Sequence, residues 1–155
     1  MAINIRVYKR LENNVPTDEV SYDGNFTNPA YFSVAVIPLS GENYAPDEEG
    51  LTLYVLLESP NNEKGLDLKV KVEPVSSNNP PPSVLDGFQA WTPFDSSGNG
   101  EWVECYTRFR TVSVPGQELA PNSVIPVKLR VAAQPGDPAG RWQALLHFIV
   151  YNIGT

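Results

Sequence analysis

Apolar and polar residues alternate along most of this chain. Strict alternation over four to eight residues is the signature of a β-strand with one buried face. The clearest case is 66–73, where Leu66, Leu68, Val70 and Val72 alternate with Asp67, Lys69, Lys71 and Glu73. In 51–58, Leu51, Leu53, Val55 and Leu57 share one face, and Thr52, Tyr54, Leu56 and Glu58 the other. In 2–8, Ile3, Ile5 and Val7 alternate with Asn4, Arg6 and Tyr8. Phe32, Val34 and Val36 put a further strand at 31–37, and Val127, Leu129 and Val131 another at 124–132. Over 101–112, Val103, Cys105, Thr107 and Phe109 alternate with Trp102, Glu104, Tyr106 and Arg108, which predicts one continuous strand. Residues 141–151 predict the last strand, and 20–26 and 84–91 are shorter candidates.

The breaks between these segments are turn chemistry. Asp23-Gly24 and Gly98-Asn99-Gly100 can supply the positive φ that tight turns need. Ser59 to Gly65 reads as a loop joining two antiparallel neighbours, and Asn78 to Pro82 as a stiff extended connector. Pro135 to Gly140 reads as the turn before the last strand. No segment holds an apolar period of 3.6 residues long enough for a helix, and Pro 15 with Gly 11 would interrupt one. These observations predict an all-β fold, an antiparallel β-sandwich that is immunoglobulin-like or jelly-roll-like. About seven to nine strands are expected, in a single domain over 1–155.

Charge is unevenly distributed. Residues 1–11 hold Arg6, Lys9 and Arg10 and no acid, whereas 12–63 hold ten acids and no base. The first eleven residues therefore read as a basic N-terminal strand or arm. One reading is a solvated face; the sharper one is that this basic end docks on the acidic half of a neighbouring copy. The net charge of −7 disfavours nucleic acid as a partner. No apolar run approaches the ~20 residues of a membrane span. Met1 is followed directly by strand-like alternation, which predicts a chain made without a signal peptide. The sequon-like Asn25-Phe-Thr27 is then expected to be chance.

Candidate chemistry is sparse. His147 is the only histidine and Cys105 the only cysteine, so a nucleophile–base arrangement would have to run through His147. No nucleophile motif accompanies it. Cys105, on a face with Val103 and Phe109, reads as a small core hydrophobe. Asp95 to Glu101 and Asp47-Glu48-Glu49 gather oxygens without an EF-hand spacing, so they read as a turn and a charged loop. The expectation is no enzyme, with no catalytic, cofactor or metal residues. Trp91, Trp102 and Tyr106 are candidate ligand-facing aromatics, the platform a carbohydrate-binding module would use.

The last strand is apolar on both faces. Trp142, Ala144, Leu146, Phe148 and Val150 lie on one, and Leu145, His147, Ile149 and Tyr151 on the other. A sandwich sheet normally turns a polar face to water, so a second apolar face marks a contact with another segment or subunit. Ile3, Ile5, Val7, Leu145, His147, Ile149 and Tyr151 are therefore the candidate subunit interface. The stretches Ile125-Pro-Val-Lys-Leu-Arg-Val131 and Asp137-Pro-Ala-Gly-Arg-Trp-Gln-Ala-Leu-Leu-His-Phe-Ile-Val150 resemble the closing strands of immunoglobulin-like sandwich modules. Such modules occur in bacterial surface proteins, in fimbrial subunits and as bacteriophage capsid decoration or cement proteins. The paired cysteines of antibody-type domains, and the tryptophan between them, are absent, and no functional residue carries over.

A compact β-rich chain with no recognisable chemistry and a candidate subunit contact, taken with this resemblance, leads to the expectation of a non-enzymatic structural assembly protein on a virion surface, bridging shell subunits as a homo-oligomer. The alternatives are a cell-surface fibre or pilus subunit using strand exchange, and a carbohydrate-binding module.

Overall fold

The computed structural model describes residues 3–19, 32–40, 51–74, 88–131 and 143–155. The expected strand at 20–26, the connector at 78–82, Asp47-Glu48-Glu49, Trp142 and the turn at 135–140 lie outside them. The described residues form eleven strands and no helix. They are β1 (Asn4–Glu12), β2 (Val15–Glu19), β3 (Phe32–Ser40), β4 (Leu51–Glu58), β5 (Lys64–Pro74) and β6 (Phe88–Pro93). The rest are β7 (Gly100–Glu104), β8 (Arg110–Thr111), β9 (Glu118–Leu119), β10 (Val124–Val131) and β11 (Gln143–Gly154). One sheet runs β2-β1-β4-β10-β6-β7. The other runs β3-β11-β5-β8, with β9 on a separate stretch of β5. All named pairings are antiparallel, so the fold is the antiparallel β-sandwich that alternation predicts.

The core is the set of inward positions. Ile5 and Val7 of β1, Leu53, Val55 and Leu57 of β4, and Val127 and Leu129 of β10 come from the first sheet. Leu68, Val70 and Val72 of β5 and Leu146, Phe148 and Val150 of β11 meet them from the second. The strand count exceeds expectation mainly through β2 and the two-residue ladders β8 and β9, which are too short to show a period.

Three local features depart from the alternation. Ser59 to Gly65 does not join neighbours: β4 and β5 lie in different sheets, and the loop arches between them. Its start is tied to the turn before β10 by Ser59 N–H donating to Asn122 Oδ1 (2.8 Å), and the loop is closed on itself by Glu63 N–H donating to Ser59 Oγ (2.7 Å). Gly65 ends the arch deep in the core, where a Cβ would come 2.9 Å from Val150 Cγ2.

The expected strand at 101–112 breaks at Cys105. The Cys105 N–H donates to Phe88 C=O of the first sheet, and its C=O accepts from Val72 N–H of the second. The chain thus changes sheets at this residue. Thr107 then adopts a left-handed backbone (φ 57), which ends the extended run. Alternation continues in sequence across the corner, so nothing in its period reveals the break.

β5 bulges at Asp67 (φ 50), where its register against β11 shifts between Lys69 and Leu66. One long strand can therefore serve β9 on one side of the bulge and β8 on the other.

Candidate functional site

The N-terminal strand is the first candidate surface. Ile3, Ile5 and Val7 are 1%, 0% and 0% exposed and belong to the chain's own core. None of the three is left to face a neighbour from this position. The basic residues beside them are also satisfied within the chain. Arg6 grips Glu19 with two hydrogen bonds (Nη2 to Oε2 2.6 Å, Nε to Oε1 3.2 Å) and reaches Glu58 with Nη1 at 3.1 Å. Arg10 lies 3.8 Å from Asp18. All three acids come from the acidic segment 12–63, so the basic end does dock on acidic sequence, but on its own. The two carboxylates hold the Arg6 guanidinium firmly in its charged form.

Beyond Tyr8, which pairs with Tyr54, β1 pairs only with β2 among the described residues. The two strands continue as a ribbon closed by Asn13 and Asn14, both in the left-handed region (φ 50 and 63). Two positive φ values in a row are the demand of a type I′ hairpin, which asparagine tolerates. The ribbon carries Leu11 and Val15 at 40% and 58% exposure. The sequence signal for it is the Asn13-Asn14 pair.

The second candidate surface is the outer face of β11. His147, Ile149 and Tyr151 are half-buried there, and the side chain of Leu145 lies outside the described ones. The strand is central in its sheet, between β3 and β5, and β5 furnishes the polar cover. Glu73 accepts from Lys71 at 2.6 Å, and its other oxygen lies 3.1 Å from His147 Nε2 without hydrogen-bond alignment. Lys69 lies over the Tyr151 ring at 5.6 Å and Lys71 over Phe109 at 4.5 Å. The face is a mixed cationic and apolar surface, not a bare stripe.

His147 is 18% exposed in its side chain, and burial pushes the imidazole below its ordinary value. The Glu73 carboxylate opposes that shift and Lys71 adds to it. Protonation is then harder in the folded chain than in the unfolded one. The stability tied to neutral His147 is present above about pH 6.5 and declines as pH falls through that value toward the lower folded one. Glu73, lowered chiefly by Lys71, loses its own contribution only below about pH 4.5, outside this window. Urea midpoints at pH 7.5 and 5.5 should therefore fall more for the wild type than for His147→Gln. Parallel losses would show that His147 is not the titrating group.

The aromatic candidates separate into two places. Trp91 and Trp102 are direct cross-strand partners on β6 and β7, edge to face with centroids 5.5 Å apart. Arg130 covers Trp102 at 4.5 Å and donates to Gln89 Oε1 at 2.7 Å. Tyr106 lies past the corner at Cys105, bridged to Val72 and 6.2 Å from Phe88, packed on the core. The three do not make one platform.

Trp91 instead borders an opening in its own sheet. β10 pairs with β4 from Val124 to Leu129 but with β6 only from Leu129 to Val131. Continued three residues, the β10–β6 register would set Pro126 against Pro93. Neither has an N–H to give, so the ladder has no bonds to make there. The strands part, and a cleft of about 360 Å³ lies at the seam. Its walls include Trp91, Pro93 and Pro126, and Ser113, Gln117 and Lys128 stand at its polar side. Gly100 seats the Trp91 ring, since a Cβ there would lie 2.9 Å from Trp91 Cε2 and 2.5 Å from the Thr92 carbonyl. Neither proline nor Lys128 stands out in the sequence, because the cleft depends on where the β10–β6 ladder ends.

The chain matches no protein-family model, no curated protein and no solved structure.

Two further candidates have structural work. Asp95 accepts from Ser97 N–H and Asn99 N–H with one oxygen and from Asn99 Nδ2 with the other. These bonds hold its carboxyl below the usual range and close the β6–β7 turn. Cys105 is buried, its thiol pushed up to about 12 by burial, so it is not a poised nucleophile. Among the described residues no three of His, Cys, Asp and Glu come together as metal ligands.

Proposed function

We propose that this chain is a non-enzymatic assembly subunit, a β-sandwich that decorates or cements a larger shell, with a virion surface as its setting. The observation that carries this reading is the β1–β2 ribbon. It runs beyond the pairing with β4 and carries Leu11 and Val15 exposed near its tip. A two-stranded ribbon is marginal by itself, and apolar side chains on it gain free energy only by burial against another surface. The type I′ turn fixes the strand register, which pairs Leu11 with Pro16 and Val15 with Glu12. The two apolar side chains therefore stand on opposite faces of the ribbon, and each can be buried only against a surface on its own side. The closing strands resemble those of immunoglobulin-like modules, a class that includes bacteriophage decoration proteins, and the choice of a virion setting rests on that resemblance.

The test uses residues that folding does not need. Leu11→Asp with Val15→Asp should leave the melting temperature within about 2 °C of wild type, as expected for exposed positions. In sedimentation, the wild type should associate with itself or with a shell or filament, and the double variant should not. A wild type that stays monomeric at high concentration and binds neither would overturn the proposal.

A further inference from the structure

The turn between β6 and β7 carries a reactive pair of residues. Asn99 is the only asparagine in the chain that is followed by glycine. The fold demands that glycine. A Cβ on Gly100 would lie 2.5 Å from the Thr92 carbonyl oxygen and 2.9 Å from Trp91 Cε2. The missing side chain also leaves the Gly100 nitrogen unshielded.

That nitrogen is outside the ladder as well. Asn99 C=O accepts from Phe94 N–H at 2.7 Å, and bonded and non-bonded pairs alternate along an antiparallel ladder. The next pair, Pro93 with Gly100, is therefore a non-bonded one. Gly100 N–H points away from β6, and β7 is the last strand of its sheet among the described residues. The Asn99 side chain is exposed beside it. Its Nδ2 donates to Asp95 Oδ2 at 2.9 Å, an exposed bond for which water competes. At three other asparagines the following N–H is tied. Ser123 N–H, after Asn122, donates to the Ala120 carbonyl. Asn62 N–H and Glu63 N–H, after Asn61 and Asn62, donate to the carbonyl and Oγ of Ser59. Asparagine is a thermolabile residue, and an unshielded, unbonded nitrogen next to it is the nucleophile that attacks its amide.

We propose that Asn99 is a site of spontaneous deamidation, and that its products loosen the β6–β7 turn. Hydroxide takes the Gly100 amide proton, and the nitrogen attacks Asn99 Cγ. The new N–C bond closes a five-membered succinimide as the Cγ–Nδ2 bond breaks. The leaving nitrogen takes a proton from water and departs as ammonia, which regenerates the hydroxide. A second water opens the ring at either carbonyl, so the net reaction consumes one water and releases one ammonia. Aspartate at 99 replaces the donor to Asp95 by a like charge. Isoaspartate inserts a methylene into the main chain just before the tightly packed Gly100. It also takes the acceptor of Phe94 N–H out of the main chain. The turn lies at the opposite edge of the first sheet from the β1–β2 ribbon, so the proposal is independent of the assembly reading.

The test is incubation of the intact folded chain at pH 8.5 and at pH 6.5, followed by peptide mapping in a mass spectrometer. The peptide holding Asn99 should gain one mass unit before any other asparagine peptide does. It should separate into aspartate and isoaspartate forms, and the gain should be faster at the higher pH. Asn99→Ser should lose it. Asn99→Asp, which carries the first product, should speed hydrogen exchange at the Phe94 and Ser97 amides and leave the β1–β4 ladder unchanged. An Asn99 that stays intact, another asparagine that converts first, or an Asn99→Asp turn that exchanges like wild type would each overturn the inference.

Discussion

Removing residues 1–10 should leave a chain that no longer folds by itself. Those residues contribute most of β1, which lies inside its sheet between β2 and β4. Ile3, Ile5 and Val7 are among its largest fully buried side chains. Each contributes about 1.5–3 kcal/mol by burial, against about 5–15 kcal/mol for the stability of a whole domain. The deletion also strips the ladder from Asn4 to Tyr8 off β4 and removes Arg6, the shared partner of Glu19 and Glu58. The expected far-UV spectrum and amide dispersion are those of an unfolded chain. A synthetic peptide of residues 1–10, added in trans, should restore a cooperative melt. A deletion variant that melts like wild type and loses only assembly would instead place this strand outside the core that the structure describes.

Phe148→Ala should be the most damaging single substitution on β11. The ring is completely buried where the two sheets meet, and the loss is about 3–5 kcal/mol for a truncation of this kind. In a domain of this size that lowers the melting temperature by roughly 10 °C. The next residue along the strand is the control. Ile149 is half-buried on the opposite face, with Lys69 beside it in the β5 register. Ile149→Lys sets two like charges side by side, at a cost of about 0.2–1 kcal/mol. Thermal melts of the two variants should therefore differ several-fold in their effect. Equal losses would mean that a further surface covers the outer face of β11.

Much of the core was legible from the alternation alone. Leu53, Val55 and Leu57, and Leu68, Val70 and Val72, are buried as their period of two requires, because successive side chains of any strand point to opposite faces. Cys105 as a small core residue was also readable from its neighbours in sequence. The tertiary structure decided the rest. It sent β4 and β5 to different sheets and turned the chain through a corner at Cys105. It paired Arg6 with Glu19 and Glu58 of the same chain instead of with a neighbour. It also ended the β10–β6 ladder at Leu129 and Ala90, so that a cleft opens beside Trp91 and Lys128. Each of these depends on which distant segments meet, and in what register. A period of two records which face a residue takes, but it carries no information about the partner strand, so only the assembled sheets could decide them.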